Sequence, residues 1–125
     1  MRDDNTMLEL TGRIRQVAFY LHTYLRNGHL EKVYENGLAN RLRKAGFKVE
    51  QQYPLTVRDK DGTVLGDYYA DLFVNDVLIV ELKASRAILD EHIAQVLGYL
   101  RASGQRDWLL SNFGSPKIQI KKLIL

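Results

Sequence analysis

Val77-Leu78-Ile79-Val80-Glu81-Leu82-Lys83 is the stretch of sequence that decides the fold. Its β-branched and almost uninterrupted apolar run predicts a strand covered on both faces, because a strand with one solvated face alternates apolar and polar residues. Glu81 and Lys83 interrupt the run two residues apart, so both side chains project from the same face. Charges in such a strand are costly unless they are paired or bind an ion. The stretch therefore predicts the centre of a sheet with a charged site in it.

The residues before this strand predict a hairpin that brings a second carboxylate to it. The segment 63–74 is a strand candidate, and Asp71 interrupts its apolar part. A two-residue turn at Asn75-Asp76 would place Asp71 opposite Val80, whereas a connection one residue longer places it opposite Glu81. We predict the longer connection, because it gathers the two carboxylates into one site.

This register has further consequences for the neighbouring residues. It pairs Leu72 with Val80 and places Tyr69 opposite Lys83. It also leaves four apolar residues of the two strands together: Ala70, Leu72, Val80 and Leu82.

The rest of the chain predicts three helices and three further strands. Apolar residues recur at helical spacing over about 7–26, 29–45 and 89–103, and Thr6 with Glu9 reads as a capping box for the first helix. Strand-like segments occupy 47–57, 108–110 and 118–120, and Pro54 in the first of them favours a sheet edge or an irregular stretch. The order ααβββαββ predicts an α/β architecture, a mixed sheet flanked by helices.

Length and composition restrict the class of protein. The 125 residues contain no internal repeat or obvious boundary, so we expect a single domain over 1–125. The absence of cysteine excludes disulfides, thiol nucleophiles and cysteine-based zinc sites. The acidic start is unlike a secretory signal, and no apolar run approaches the roughly 20 residues that span a bilayer, so we expect a cytoplasmic protein without a membrane partner. The net charge of +3 permits a polyanionic partner without requiring one.

Asp71, Glu81 and Lys83 together suit a divalent cation. Mg²⁺ takes oxygen ligands, typically one or two carboxylates with several retained waters. Such an ion can activate a water and neutralise charge on a phosphoryl group, and the lysine can stabilise the developing negative charge. The pattern alone is loose, because an ion pair between Glu81 and Lys83, with Asp71 at a strand end, would explain it about equally well.

Polar residues on two helices border this triplet. His92, Gln95 and Tyr99 fall on one face of the helix that follows the strand, which packs back over the sheet. Each of them alone is more readily explained as the polar border of a core-facing helix. Glu31 lies at the start of the second helix, where the helix dipole favours an acid in any protein.

Five motifs in this order resemble those of the GxxExxY proteins, a family of the PD-(D/E)XK nuclease superfamily. They are Gly28-x-x-Glu31-x-x-Tyr34, Tyr69-Ala70-Asp71-Leu72, Val80-Glu81-Leu82-Lys83-Ala84, His92-x-x-Gln95-x-x-x-Tyr99-Leu100 and Leu109-Leu110-Ser111-Asn112-Phe113-Gly114. The resemblance covers roughly residues 8–125, and the Gln95–Tyr99 pair also resembles a motif of RecB-type exonuclease domains. Ala70 stands where the superfamily name has proline, a position that varies among its members.

The resemblance implies a restriction-endonuclease-like fold and a phosphodiesterase core that depends on Mg²⁺, with Mn²⁺ as an alternative ion. By analogy, Asp71 and Glu81 are metal ligands and Glu31 is the helix-borne acid that completes the site. Lys83 corresponds to the catalytic lysine. The expected activity is hydrolysis of DNA or RNA phosphodiester bonds. The alternative is a catalytically silent nuclease-like fold that acts as a nucleic-acid-binding or regulatory module.

The resemblance also assigns the substrate side of the site. Gln95 and Tyr99 would position the scissile strand or its phosphate, and His92 would contact a phosphate or a water. The expected partner is nucleic acid. A homodimer could increase the grip on the substrate, with Trp108 and Leu123-Ile124-Leu125 contributing to its interface.

Overall fold

The predicted order of elements is confirmed in a computed structural model, which describes residues 4–124. Met1 to Asp3 and Leu125, which belong to the acidic start and the apolar end considered above, lie outside the described residues. The elements are α1 (Asp4–Leu25), α2 (Glu31–Lys44), β1 (Val49–Arg58), β2 (Val64–Val74), β3 (Leu78–Lys83), α3 (Asp90–Ser103), β4 (Asp107–Asn112) and β5 (Gln119–Ile124).

The capping box predicted for α1 is wrong. The helix begins at Asp4, so Thr6 lies inside it and cannot be its N-cap. An N-cap residue has a non-helical backbone, whereas the backbone of Thr6 is helical.

The five strands form one mixed sheet with β3 at its centre. The strand order is β1-β2-β3-β4-β5, and only β3 and β4 run parallel. The parallel pair is connected by α3, since a parallel connection needs a crossover. β1, which contains Pro54, lies at an edge as predicted.

The predicted hairpin register is confirmed. Leu72 pairs with Val80 and Val74 pairs with Leu78, so the connection is one residue longer than a two-residue turn. Asn75 and Asp76 both have positive φ, 52° and 59°, as a type I′ turn requires. Val77 supplies the extra residue, and its N–H donates to the carbonyl of Val74 at 3.1 Å. The β2–β3 ladder ends at the pair Leu72–Val80, so Asp71 and Glu81 are the first residues beyond it.

The alternation of side chains along β2 changes at Asp71. Leu72 belongs to the core beneath α1 and α2, whereas Ala70 and Tyr68 pack in the second core, beneath α3. On β1, Gln52 lies opposite this point with φ 53°, and it is skipped in the pairing with β2. The prediction that Ala70 shares a face with Leu72 is therefore wrong. Because the backbone is irregular at Gln52 and Asp71, the side chains of β2 before Asp71 lie on the opposite face from the one that regular alternation predicts.

Trp108 and Leu123 are core residues, and the prediction that they contribute to a dimer interface is wrong. Trp108 is fully buried beneath α3 and Leu123 is 8% exposed, because both side chains point into the core of a sheet covered by helices. Within residues 4–124, no helix is both long and apolar enough to cross a membrane.

Candidate active site

Asp71 and Glu81 meet where the β2–β3 ladder ends. The backbone N–H of Asp71 donates to Oε1 of Glu81 at 3.0 Å, and the N–H of Leu82 donates to Oδ2 of Asp71 at 2.8 Å. The hydroxyl of Tyr68 donates to Oε2 of Glu81 at 2.7 Å. Each carboxylate therefore takes a hydrogen bond from the opposite strand in place of the missing backbone pairing. The structure brings the two acids together, as the register predicted.

The electrostatics of this pair disfavour full ionisation. Burial raises the pKa of Glu81 to about 8, and repulsion from Asp71 acts in the same direction. The hydrogen bonds from Tyr68 and from the Asp71 N–H, together with the charge of Lys83, lower the pKa of Glu81 in part. Burial also raises the pKa of Asp71, opposed chiefly by the Leu82 N–H. A cation bound between the two acids would relieve both penalties.

Glu31 approaches the pair from the first turn of α2. Partial burial of its carboxyl group raises its pKa, and Asp71 and Glu35 raise it further by repulsion. Lys83 and the backbone amide of Ala84 oppose this. Glu31 therefore lies near Asp71 and near the end of β3 at Lys83 and Ala84.

Tyr34 holds the loop that precedes Glu31. Its hydroxyl donates to the carbonyl of Arg26 at 2.5 Å and accepts the N–H of His29 at 3.1 Å. Gly28 has φ 111° there, a conformation that favours glycine. The spacing Gly28-x-x-Glu31-x-x-Tyr34 thus has a physical basis, because its outer residues fix the entry into α2 and its glutamate is the first residue of that helix.

Lys83 is half-buried and carries no ion pair. Within residues 4–124, no carboxylate lies within 4.0 Å of its Nζ, so the alternative of a Glu81–Lys83 ion pair is wrong. The reason is that both oxygens of Glu81 are engaged by Tyr68 and Asp71 instead. The lysine charge is therefore available to a ligand.

The segment after Lys83 is held by the start of the β4–β5 connection. Asn112 accepts the N–H of Ser85 at 3.0 Å and donates to the Ser85 carbonyl at 2.9 Å. The N–H of Phe113 donates to the carbonyl of Lys83 at 2.9 Å. Gly114 lies so close that a Cβ there would be 2.3 Å from the nitrogen of Ser85. The Asn112-Phe113-Gly114 motif thus fixes the end of the strand that carries Lys83.

The three residues predicted on α3 occupy different environments. Tyr99 stacks on Tyr68 with ring centroids 3.7 Å apart, so it supports Glu81 through Tyr68. His92 accepts the N–H of Leu89 through Nδ1 at 3.1 Å, which caps the start of the helix. The side chain of Gln95 is exposed and makes no hydrogen bond within residues 4–124. Tyr68, rather than the predicted Tyr69, reaches β3, because the side chains alternate differently before Asp71.

Glu35 and Gln52 are also part of the site, although no sequence pattern predicted them. Glu35 is 3% exposed; its Oε1 accepts from Gln52 at 2.8 Å and its Oε2 from Gln51 at 2.8 Å and Lys32 at 2.9 Å. The same Gln52 amide lies 3.3 Å from Oδ1 of Asp71. Glu35 could have been suspected, since it follows Glu31 by one helical turn. Gln52 could not have been suspected, because its side chain reaches the site only through a positive φ that the sequence does not indicate.

The donor set determines which ion could bind here. Within the described residues, no three His, Asp or Glu side chains are gathered closely enough to share an ion, so Glu31, Asp71 and Glu81 do not form the closed three-acid cluster expected. Asp71 and Glu81 alone fit Mg²⁺, which commonly takes one or two carboxylates and keeps several waters. Their raised pKa values agree with such a site, because a bound cation favours the ionised acids.

The pKa of Glu81 predicts how stability depends on pH without metal. Between about pH 4.5 and 8 the folded protein holds a proton on Glu81 that the unfolded chain has released. The free energy of unfolding should therefore fall as pH rises through this window, by up to about 1.4 kcal/mol per pH unit. Urea unfolding in EDTA at several pH values measures this dependence. In Glu81→Gln the free energy of unfolding should vary less with pH. Equal slopes for both proteins would contradict the assignment.

The comparison with known protein families agrees with this geometry. The model of a family described as PD-(D/E)XK nuclease superfamily matches residues 8–123, which span every element of the sheet. The three helices and the mixed five-stranded sheet are consistent with a restriction-endonuclease-like fold. No curated protein and no solved structure matches the chain significantly.

Proposed function

The chain belongs to the PD-(D/E)XK nuclease superfamily, and from this premise we propose that it is a divalent-metal-dependent nuclease that hydrolyses phosphodiester bonds of DNA or RNA. The observation that carries the proposal is the pair Asp71–Glu81 beside an unpaired Lys83. Burying two acids together costs stability. A charged ligand explains why the site combines them with a lysine that neutralises neither by direct contact.

In this proposal Asp71 and Glu81 hold Mg²⁺ or Mn²⁺, and Glu31, which is electrostatically coupled to Asp71, adds negative charge beside the ion without being its third ligand. The ion would supply an activated water and neutralise charge on the phosphoryl group. Tyr68 keeps Glu81 oriented by its hydrogen bond. Lys83 directs positive charge at the phosphate oxygens, where negative charge develops during hydrolysis.

Two of the three α3 residues contact the substrate in this proposal, and the third supports the site through Tyr68. Gln95 is exposed and can bind the scissile strand or its phosphate. Tyr99 positions Tyr68 by stacking on it. His92 accepts through Nδ1, so a neutral ring carries its proton on Nε2, which can donate to a phosphate or a water.

Metal binding should be measurable as thermal stabilisation. Millimolar Mg²⁺ or Mn²⁺ should raise the melting temperature, because an ion that binds only the folded state at 100 times its Kd adds about 2.7 kcal/mol. Glu81→Gln should abolish the rise, whereas Glu9→Gln, an exposed acid on α1, should retain it. A rise of equal size in Glu81→Gln would place the ion elsewhere.

The alternative function, a silent nuclease-like fold that binds nucleic acid, is separated from the enzyme by turnover. Cleavage of labelled single-stranded and duplex substrates in Mg²⁺ or Mn²⁺ supports the nuclease. Binding of the same substrates without cleavage in either metal supports the alternative.

A further inference from the structure

A groove between α1 and β5 lies outside the candidate active site. It has a volume of about 590 Å³ and is lined by Arg15, Gln16, Phe19, Tyr20, Ile118 and Ile120. It continues past Phe19 and Ile118 into a hollow bordered by Arg26 and Lys117. We call this continuous surface the α1–β5 groove.

The α1–β5 groove carries positive charge without compensation. Arg15, Arg26 and Lys117 line it, and its lining includes no acidic residue. Within residues 4–124, none of the three forms an ion pair. Arg15 makes one hydrogen bond, to the carbonyl of Ile120 at 3.3 Å, which leaves its charge unneutralised. This uncompensated positive charge is suited to binding a polyanion.

Two aromatic side chains stand exposed in the same groove. Phe19 and Tyr20 are each 55% exposed, with ring centroids 5.7 Å apart in an edge-to-face arrangement. Aromatic rings beside a basic track are the common means of binding single-stranded nucleic acid, because unpaired bases stack on them. Bases in a duplex are already stacked and cannot do so. The combination therefore favours a single strand.

Both sides of the groove are joined to the elements that carry the site. Arg26 comes five residues before Glu31, and its carbonyl is held by Tyr34 of α2. On the other side, Lys117 belongs to the connection that begins at Phe113, whose N–H donates to the carbonyl of Lys83. The end of the groove at Arg26 and Lys117 is therefore the end that is connected to the elements carrying the site.

We propose that the α1–β5 groove binds single-stranded nucleic acid, with bases stacked on Phe19 and Tyr20 and phosphates on Arg15, Arg26 and Lys117. The proposal rests on the nuclease function, because it identifies the substrate class that the same site cleaves. The groove acts as a track that delivers the single strand to Asp71 and Glu81.

Binding can be measured separately from cleavage. The probe is a fluorescein-labelled oligothymidine of about 15 nucleotides, followed by anisotropy in EDTA, against a duplex of the same length. The single strand should bind more tightly. Phe19→Ala should weaken its binding about tenfold, since one base loses its stacking partner. Lys117→Ala should reduce the slope of log K against log salt by about 0.7, as expected for one lost phosphate contact.

The controls are exposed residues of the same kinds outside the groove. Tyr24→Ala removes a 76%-exposed ring on the α2 side of α1, where Arg41 lies over it, and Lys60→Ala removes a charge at the β1–β2 turn. Both should bind like the parent. Melting curves verify that all four variants are folded, as expected for surface positions.

The possible results either overturn the proposal or separate it from the nuclease function. Parental binding by Phe19→Ala and Lys117→Ala, or tighter binding of the duplex, would exclude a single-strand track in the groove. Concentration-dependent dimerisation that Phe19→Ala abolishes would assign the groove to a second copy of the chain. Full binding with no cleavage in Mg²⁺ or Mn²⁺ would instead contradict the nuclease function and leave strand binding supported, so the two failures are distinguishable.

Discussion

Replacing Lys83 by alanine is expected to lower phosphodiester cleavage by about 10²–10³-fold, the usual effect of removing one preorganised electrostatic group. The free energy of unfolding should change little, because Lys83 forms no ion pair within residues 4–124. If Lys83 served only to neutralise a buried Glu81, its loss would cost about 3–5 kcal/mol. The arrangement of Glu81, whose oxygens are bound by Tyr68 and Asp71, argues against that role.

A cleavage assay and a melting curve on one preparation separate these roles. Lys83→Ala should still be stabilised by Mn²⁺, to the same or a slightly greater extent, since a like charge near the ion has been removed. Lys121→Ala, an exposed lysine on β5, is the control for the loss of a positive charge. A Lys83→Ala protein that unfolds readily, from a parent without nuclease activity, would support the silent fold instead.

Replacing Gly114 by alanine is expected to lower the free energy of unfolding by about 3 kcal/mol or more, and the melting temperature by about 10 °C. The new Cβ would lie 2.3 Å from the nitrogen of Ser85 and 2.4 Å from the carbonyl carbon of Ala84. Both are backbone atoms, held in place by the hydrogen bonds between Asn112 and Ser85. The strain cannot be relieved by rotating a side chain.

The matched control is Gly12→Ala, in the interior of α1. A Cβ at Gly12 meets nothing within 4 Å, so this substitution should stabilise the protein by about 0.5–1 kcal/mol through the better helix propensity of alanine. Urea unfolding compares the two variants. A stability of Gly114→Ala equal to that of the parent would show that the connection after β4 does not clamp the end of β3, and cleavage by this variant measures what the clamp contributes to the site.

The sheet and its central acids could be predicted because they depend on local patterns. The apolar run of β3 and the charges at Glu81 and Lys83 placed this strand in the centre, and the pairing of Asp71 with Glu81 selected a three-residue connection. The positive φ values at Asn75 and Asp76 then follow from residues that tolerate this conformation.

The surroundings of the acids depend on tertiary contacts that no local pattern records. The irregular backbone at Gln52 brings that side chain between Glu35 and Asp71 and exchanges the roles expected of Tyr68 and Tyr69. His92 is engaged by the N–H of Leu89, a contact specific to this helix start. Spacing along a helix predicts which face a residue occupies, but not which of its neighbours it binds.

Asp71 and Glu81 are the proposed metal-dependent centre of a nuclease. The most direct test compares cleavage of labelled single-stranded and duplex DNA and RNA by the parent and by Glu81→Gln, in Mg²⁺, Mn²⁺ and EDTA. Glutamine keeps the shape of the side chain and can still bond Tyr68 and the Asp71 N–H, so the fold should persist. We expect the parent to cleave only when Mg²⁺ or Mn²⁺ is present, and Glu81→Gln not to cleave at all. Equal cleavage by both proteins, or none by the parent in either metal, would contradict it.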